Sequence, residues 1–216
     1  GKFISGVFKT KTKANYYIVG SILTSGIVID WFKKNFNIKS FSELDKMTKK
    51  VRDKNILFFP QFEFSHSPIN SLKTKGAIFG INRSTSVMDI YASILRCLSF
   101  DTKNALVFMI KNSKIKIIKI ISSGGSVRNK YWMKMRANIF DKNIYIDRNI
   151  ENVSLGSAIL AGIASNIYRD DNDAFKKIKN NFLLIKKDEK EINDNILLYN
   201  KYKKNIKKIV SINNIL

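Results

Sequence analysis

The sequence predicts an α/β fold, a core sheet covered by helices, followed by a C-terminal helical tail. Three observations predict it. Short β-branched runs alternate along the chain with longer stretches of helical period. An apolar content of 44%, with 12% aromatics, is that of a folded globular domain. The 216 residues suffice for one substantial core, and neither a Pro/Gly/Ser-rich linker nor an internal repeat divides them. We therefore read one domain over residues 1–185 and a helical tail over residues 186–216 that packs on it.

Each element follows from its own stretch. Residues 1–19 hold two β-type runs, KFISGVF and NYYIV, around the polar KTKTKA, as in a hairpin or the end of a sheet. In LTSGIVIDWFKKNF, Thr24 and Ser25 are cap candidates ahead of apolar Ile27, Trp31 and Phe32, and lysines stand at the end where a helix dipole favours them. FSELDKMTKKV predicts a second helix, and ILFFPQF a buried strand stopped by Pro60. FEFSHSPINSLKTKG is polar and contains Pro68, which predicts an exposed loop before the short strand AIFGI. From Ser84 onward, Val87, Ile90, Ile94, Leu98, Ala105 and Met109 recur at helical spacing, predicting a long helix to about Lys111 with Ser84 or Ser86 as cap and Asp89 in its first turns. IKIIKIISS predicts a strand with a buried face, Lys130 to Phe140 a helix, and IYI a strand. In SLGSAILAGIAS the residues Gly156, Ser157, Ala158, Ala161 and Gly162 predict a helix that a neighbour approaches closely. The tail NDNILLYNKYKKNIKKIV sets its aromatic and apolar residues on one face.

Lys and Arg number 39 against 17 Asp and Glu, a net charge of +22. Such an excess suits a nucleic-acid or anionic-membrane binder. Here the lysines are scattered among Asn and Ile, with no Arg-rich arm, RNP-like aromatic motif or zinc pattern. That points to a solvated lysine surface, and nucleic acid is not an expected partner. A single cysteine, Cys97, excludes an internal disulfide, and its apolar helical setting makes it a core thiol rather than a nucleophile. The single histidine, His66, excludes a His-based zinc cluster and reads as a loop residue rather than a general base. No apolar run approaches the ~18 residues of a membrane span, so a reducing, cytoplasmic setting is expected. The chain opens on Gly1 and not on Met, and we expect it to be a piece of something longer.

Gly124 and Gly125 follow a predicted strand and precede a predicted helix. Their bare backbone suits a phosphate or the sugar of a nucleotide; the same pair also makes a plain turn, and the spacing is neither that of a P-loop nor GxGxxG. Asn129 offers an amide donor and acceptor that suit an adenine edge, or it caps the helix. Trp132 and Met135 read as core.

The order of LTSGIVIDWF, LFFPQFEFSHSPINSLKTKGAIFGI, DIYASILRCLSFDTKNAL, SSGGSVRNKYWMKMRAN and NVSLGSAILAGIASNIY resembles the C-terminal domain of the FGGY carbohydrate kinases, the family that includes xylulose and glycerol kinases. The resemblance runs from about Ala14 to Phe175. It implies a ribonuclease H-like domain of the actin, Hsp70 and hexokinase superfamily, a mixed sheet flanked by helices. It also implies an N-terminal sister domain across a cleft that holds ATP, Mg2+ and a sugar or polyol. Gly124 and Gly125 match the glycine pair set against the α-phosphate and ribose, and Asn129 matches a position that contacts adenine. Gly26 matches the glycine before Trp31 where backbone approaches ATP, and Asp30 stands where some relatives place a nucleotide-contacting Gln. Leu155-Gly156-Ser157-Ala158 resembles the packing motif LGAA. Three departures stand out: Phe64-Ser65-His66-Ser67 before Pro68 replaces a Gly-Glu-Arg-like loop, Arg96 replaces Glu, and Asn138 replaces Asp. The family's catalytic Asp and its Gly-Thr-Ser-type phosphate loop match nothing in this chain, so the resemblance implies the ATP-binding portion of a sugar or polyol kinase that needs its N-terminal domain for turnover. The magnesium would be carried mainly by the nucleotide and that domain, and a homodimer is compatible with the resemblance. The alternative is an inactive FGGY-like interaction or regulatory module, motivated by the changed loop and Asn138.

Overall fold

The computed structural model describes residues 4–9, 14–22, 24–40, 43–44, 51, 55–62, 74–148, 151–178 and 182–213. It opens on a hairpin, β1 (Ile4–Lys9) and β2 (Ala14–Val19), paired antiparallel from Ile4 opposite Val19 to Lys9 opposite Ala14. Helix α1 (Ser25–Asn35) buries Val28, Ile29 and Phe32 on one face. Strands β3 (Leu57–Phe59), fully buried, and β4 (Ala77–Phe79) form a second antiparallel pair. The predicted helix FSELDKMTKKV lies outside the described residues except for Glu43, Leu44 and Val51, and the loop with His66 lies outside them except for Phe62 at its start and Thr74, Lys75 and Gly76 at its end.

Helix α2 (Val87–Ser113) is the spine of the molecule. Ser86 caps it through a reciprocal box: its Oγ accepts from the Asp89 N–H, and the Asp89 carboxylate accepts from the Ser86 N–H at 2.9 Å. From Tyr91 to Phe100 every residue is buried, so polar side chains there bond back to the helix, as Ser99 Oγ does to the Leu95 carbonyl at 2.7 Å. Strand β5 (Ile120–Ser122), a 3-10 turn (Gly125–Arg128), α3 (Lys130–Phe140) and β6 (Ile144–Asp147) make a parallel βαβ unit. Strand β7 (Phe182–Ile185) pairs antiparallel with β6, which makes this three-stranded sheet mixed, in the order β5-β6-β7. Helices α4 (Asn152–Ala164) and α5 (Asp171–Lys177) lie between β6 and β7 in sequence.

The last helix, α6 (Glu189–Asn213), buries Ile192, Leu198, Tyr199, Tyr202, Ile206 and Ile209, the single apolar face that its spacing predicts. Tyr202 stacks on Phe59 at 4.8 Å, and its hydroxyl donates to Asp101 at 2.8 Å. Tyr199 donates to Asn104 at 2.7 Å. Aromatic and polar anchors of this kind hold the helix against α2 and β3.

Four expectations change. Thr24 precedes α1 but its side chain makes no cap bond. Of IKIIKIISS only Ile120–Ser122 is strand; Ile118 is 93% exposed, because β5 has a neighbour on one edge only and the preceding residues have no sheet to join. The run SLGSAILAGIAS is helical, yet only Ile159 and Gly162 in it are buried, and a Cβ on Gly156 would meet nothing within 4 Å. Gly162 alone has a close neighbour, the Tyr168 ring, 2.6 Å from where a Cβ would stand. Strand β7 and helix α5 were not foreseen, since FLLI is too short to separate strand from buried helix by period.

Candidate functional site

The chain leaves β5 through Ser123 and turns at Gly124, whose φ of +82° and ψ of −172° belong to a region that side chains exclude. A Cβ on Gly124 or on Gly125 would meet nothing within 4 Å, so the backbone stands bare to the outside. Asn129 then caps α3: its Oδ1 accepts from the Trp132 N–H at 2.8 Å. Its Nδ2 donates to the Tyr91 hydroxyl at 3.1 Å, tying the start of α3 to α2. Trp132 is held more firmly still, its Nε1 donating to the Leu95 carbonyl and to Ser99 Oγ, both at 2.9 Å.

Facing this turn is the first turn of α1. Gly26 has open space around it, and Asp30 is exposed. Between the two lies a cavity of about 380 Å3, lined by Ser25, Gly26, Ile29 and Asp30 on one side, by Gly125, Ser126, Arg128 and Asn129 on the other, and floored by Tyr91 and Trp132. Four of the five residues singled out from sequence, Gly26, Asp30, Gly125 and Asn129, thus line one cavity, and Gly124 immediately precedes Gly125. Both the α1 and α3 N-termini open near it, so unpaired N–H groups and positive dipole ends are close at hand. The dual use of Asn129 leaves its amide one hydrogen for any ligand.

Sequence reasoning missed Ser126, Arg128 and Tyr91. The first two sit between Gly125 and Asn129 and adjacency alone could have found them. Tyr91 gave no signal, because it lies one residue beyond an apolar stripe position and only the packing of α2 under the turn brings it to the cavity.

The departures have structural places. Asn138 is buried: its Nδ2 donates to Glu191 at 2.6 Å and its Oδ1 accepts from the Asp188 N–H at 2.8 Å, so it fastens the start of α6. Arg96 is buried beside a separate cavity of about 250 Å3 with Tyr131, Lys134 and Glu191. Cys97 is a core thiol as expected, pushed up to about 12 by burial.

The sequence matches the profile of the FGGY family of carbohydrate kinases, C-terminal domain, over residues 2–165. A glycerol kinase of Lactobacillus delbrueckii subsp. bulgaricus is 30% identical over 173 residues, which are 79% of this chain and 34% of that protein. A glycerol kinase of Aquifex aeolicus is 27% identical over 202 residues, 91% of this chain and 40% of that protein. The crystal structure of Plasmodium falciparum glycerol kinase with ADP superposes with a TM-score of 0.80 at 24% identity, over 94% of this chain and 42% of that one. The ligand-bound xylulose kinase of Lactobacillus acidophilus gives 0.79 at 19% identity, over 93% and 41%. The α/β fold is that of these actin- and hexokinase-like kinases, and the chain spans between about a third and two fifths of the length of the curated relatives it matches.

Proposed function

Because the chain belongs to the FGGY family of carbohydrate kinases, as its C-terminal domain, we propose that it is the ATP-binding portion of a kinase that phosphorylates a hydroxyl of a sugar or polyol. One observation carries the reading: the cavity that gathers Gly26, Asp30, Gly125 and Asn129 around bare backbone. In it the N–H groups at Gly124 and Gly125 approach the α-phosphate and ribose, where no side chain intervenes. The remaining amide hydrogen of Asn129 meets an acceptor of adenine, and the Asp30 carboxylate accepts from an amine or ribose hydroxyl. Trp132 and Tyr91 form the floor.

Phosphoryl transfer further needs a base for the hydroxyl proton and a cradle for the γ-phosphate with Mg2+. Among the described residues no three His, Cys, Asp or Glu side chains gather into a possible metal site. The magnesium in this reading rides on the nucleotide and on an N-terminal domain, which also binds the sugar. No helix among the described residues is long and apolar enough to cross a membrane. The role of Asn138 in fastening α6 removes one reason to read the chain as an inactive module.

Titration with ATP, followed by tryptophan fluorescence with and without Mg2+, tests the reading. Weak saturable binding is expected, lowered about tenfold or more when Gly125→Val fills the bare wall, since a misplaced phosphate contact costs at least 1.4 kcal/mol. Unchanged binding in that variant would remove the nucleotide from this cavity. Sugar phosphorylation by these 216 residues alone would remove the need for another domain.

A further inference from the structure

The hydrogen bonds already made around the candidate nucleotide cavity restrict which base it reads. Reading adenine with an amide side chain takes both of its halves, the oxygen for the N6 hydrogens and the nitrogen for N7. Asn129 has its oxygen turned to the Trp132 N–H at 2.8 Å, as the cap of α3, and commits one amide hydrogen to the Tyr91 hydroxyl at 3.1 Å. What it keeps for a base is a donor. The two charged residues at the cavity are Arg128, next to Asn129, and Asp30 on the opposite side, both exposed, and among the described residues no ion pair joins them. A guanidinium only donates and a carboxylate only accepts. The polar groups are therefore donors on the α3 side and an acceptor on the α1 side. Gly26 and Asp30 are four residues apart and share one face of α1, so the acceptor stands one turn from bare backbone. Beneath them Tyr91 and Trp132, 1% and 3% exposed, offer an aromatic floor for the face of a purine.

We propose that this cavity accepts guanine as well as adenine, that GTP binds at least as tightly as ATP, and that Asp30 and Arg128 set the base preference. This rests on the reading that the cavity holds a purine nucleotide. Along one edge guanine carries two adjacent acceptors, N7 and O6, followed by two adjacent donors, N1–H and the N2 amine. The acceptors suit a guanidinium, which bonds both at once, and the donors match the two oxygens of a carboxylate. A guanine lying between Arg128 and Asp30 thus meets donors with acceptors on both sides. Adenine fits the same groups less completely. Its N6 amine donates to Asp30, but the bare N1 beside that amine sets a lone pair against the second carboxylate oxygen. Its N7 takes a bond from Arg128 or Asn129, but the neighbouring N6 is a donor set against donors. Each such mismatch leaves a polar group of the site without its partner. Ribose and phosphates are common to both nucleotides, so the bare backbone at Gly26, Gly124 and Gly125 holds either one alike. The discrimination falls on the two charged side chains.

The test titrates the 216-residue chain with ATP, GTP and ITP in parallel, in the presence of Mg2+ and read by calorimetry. GTP is expected to bind at least as tightly as ATP, and ITP, which lacks the N2 amine, more weakly than GTP. Asp30→Asn supplies an N–H for adenine N1 and is expected to move the ratio of ATP to GTP affinity about tenfold toward ATP. Arg128→Ala is expected to weaken GTP about tenfold and ATP less. The ratio within each variant is the readout, because loss of the Asp30 charge favours every triphosphate. Both side chains are exposed, so the variants keep the fold, which circular dichroism checks. The proposal is overturned if the parent chain binds ATP about tenfold or more tightly than GTP, or if Asp30→Asn leaves the ratio unchanged. Binding of ATP alone keeps the nucleotide cavity and rejects guanine. Binding of GTP alone supports the guanine assignment and rejects the adenine contacts, and binding of neither rejects the cavity and this proposal together.

Discussion

Individual residues here carry more than one duty. Gly124 occupies φ +82°, ψ −172°, and any side chain is strained there whatever space surrounds it. Gly124→Ala is expected to lower stability by about 1–3 kcal/mol by urea unfolding and to weaken ATP binding, the first effect following from strain and the second from the shifted turn. Asp101 is buried between Tyr202 and Gln61, and burial pushes its carboxyl up to about 7 against hydrogen bonds from both that favour the charge. Its neutral form is thus favoured in the folded chain. Because its folded value exceeds the ordinary 3.8, its contribution is most favourable below about pH 4 and is lost as pH rises to about 7, a change on the order of 4 kcal/mol. Asp101→Asn removes the titration, and its amide can donate to Gln61 Oε1, a buried atom without a hydrogen-bond partner once the Gln61 amide turns toward it. The urea midpoint of the variant is expected to exceed that of the parent at pH 8 and to approach it at pH 4.5. A variant equally affected at both pH values would show that Asp101 stays ionised.

At the scale of elements, α6 is held by a few specific joints on a broad apolar face. Asn138 supplies the joint at its start, donating to Glu191 and accepting from the Asp188 N–H. An acid at position 138 would set a buried carboxylate against the partly exposed one of Glu191. Asn138→Asp is expected to cost about 2–4 kcal/mol near neutral pH and to speed hydrogen exchange in Glu189–Asn213 before the rest of the fold, with part of the loss recovered as pH falls and one acid protonates. Uniform exchange throughout the chain would mean that α6 does not undock on its own. The exposed α4 differs, since its Gly156 and Leu160 line a cavity and of its glycines only Gly162 meets a close neighbour.

The whole molecule carries a net charge of +22, with close ion pairs around Lys187 and Asp173 and at Arg169. With 39 Lys and Arg against 17 Asp and Glu, most basic side chains lack an acidic partner to pair with, and the surface is self-repelling. Raising NaCl from about 20 mM to about 500 mM shortens the Debye length several-fold, and the melting temperature is expected to rise by a few degrees. If the lysines instead formed a nucleic-acid surface, duplex DNA would bind at low salt with an affinity falling steeply on a log-log plot; flat or negligible binding is the expected outcome.

The alternation of strand and helix, the long α2 with Ser84 or Ser86 as its cap and Asp89 in its first turns, the limits of α3 and the apolar face of α6 were all legible in local pattern, because period, caps and turns act between residues close in sequence. So was the order of segments that resembles the FGGY kinases. The gathering of Gly26 and Asp30 with Gly125 and Asn129, nearly a hundred residues on, came only with the packing of α1 and the 3-10 turn over α2. The same is true of Tyr91 beneath them and of Asn138 as an anchor rather than a vestige. Each depends on which partner an element meets, and long-range pairing is decided by burial and hydrogen bonding across the fold, where the local pattern is silent.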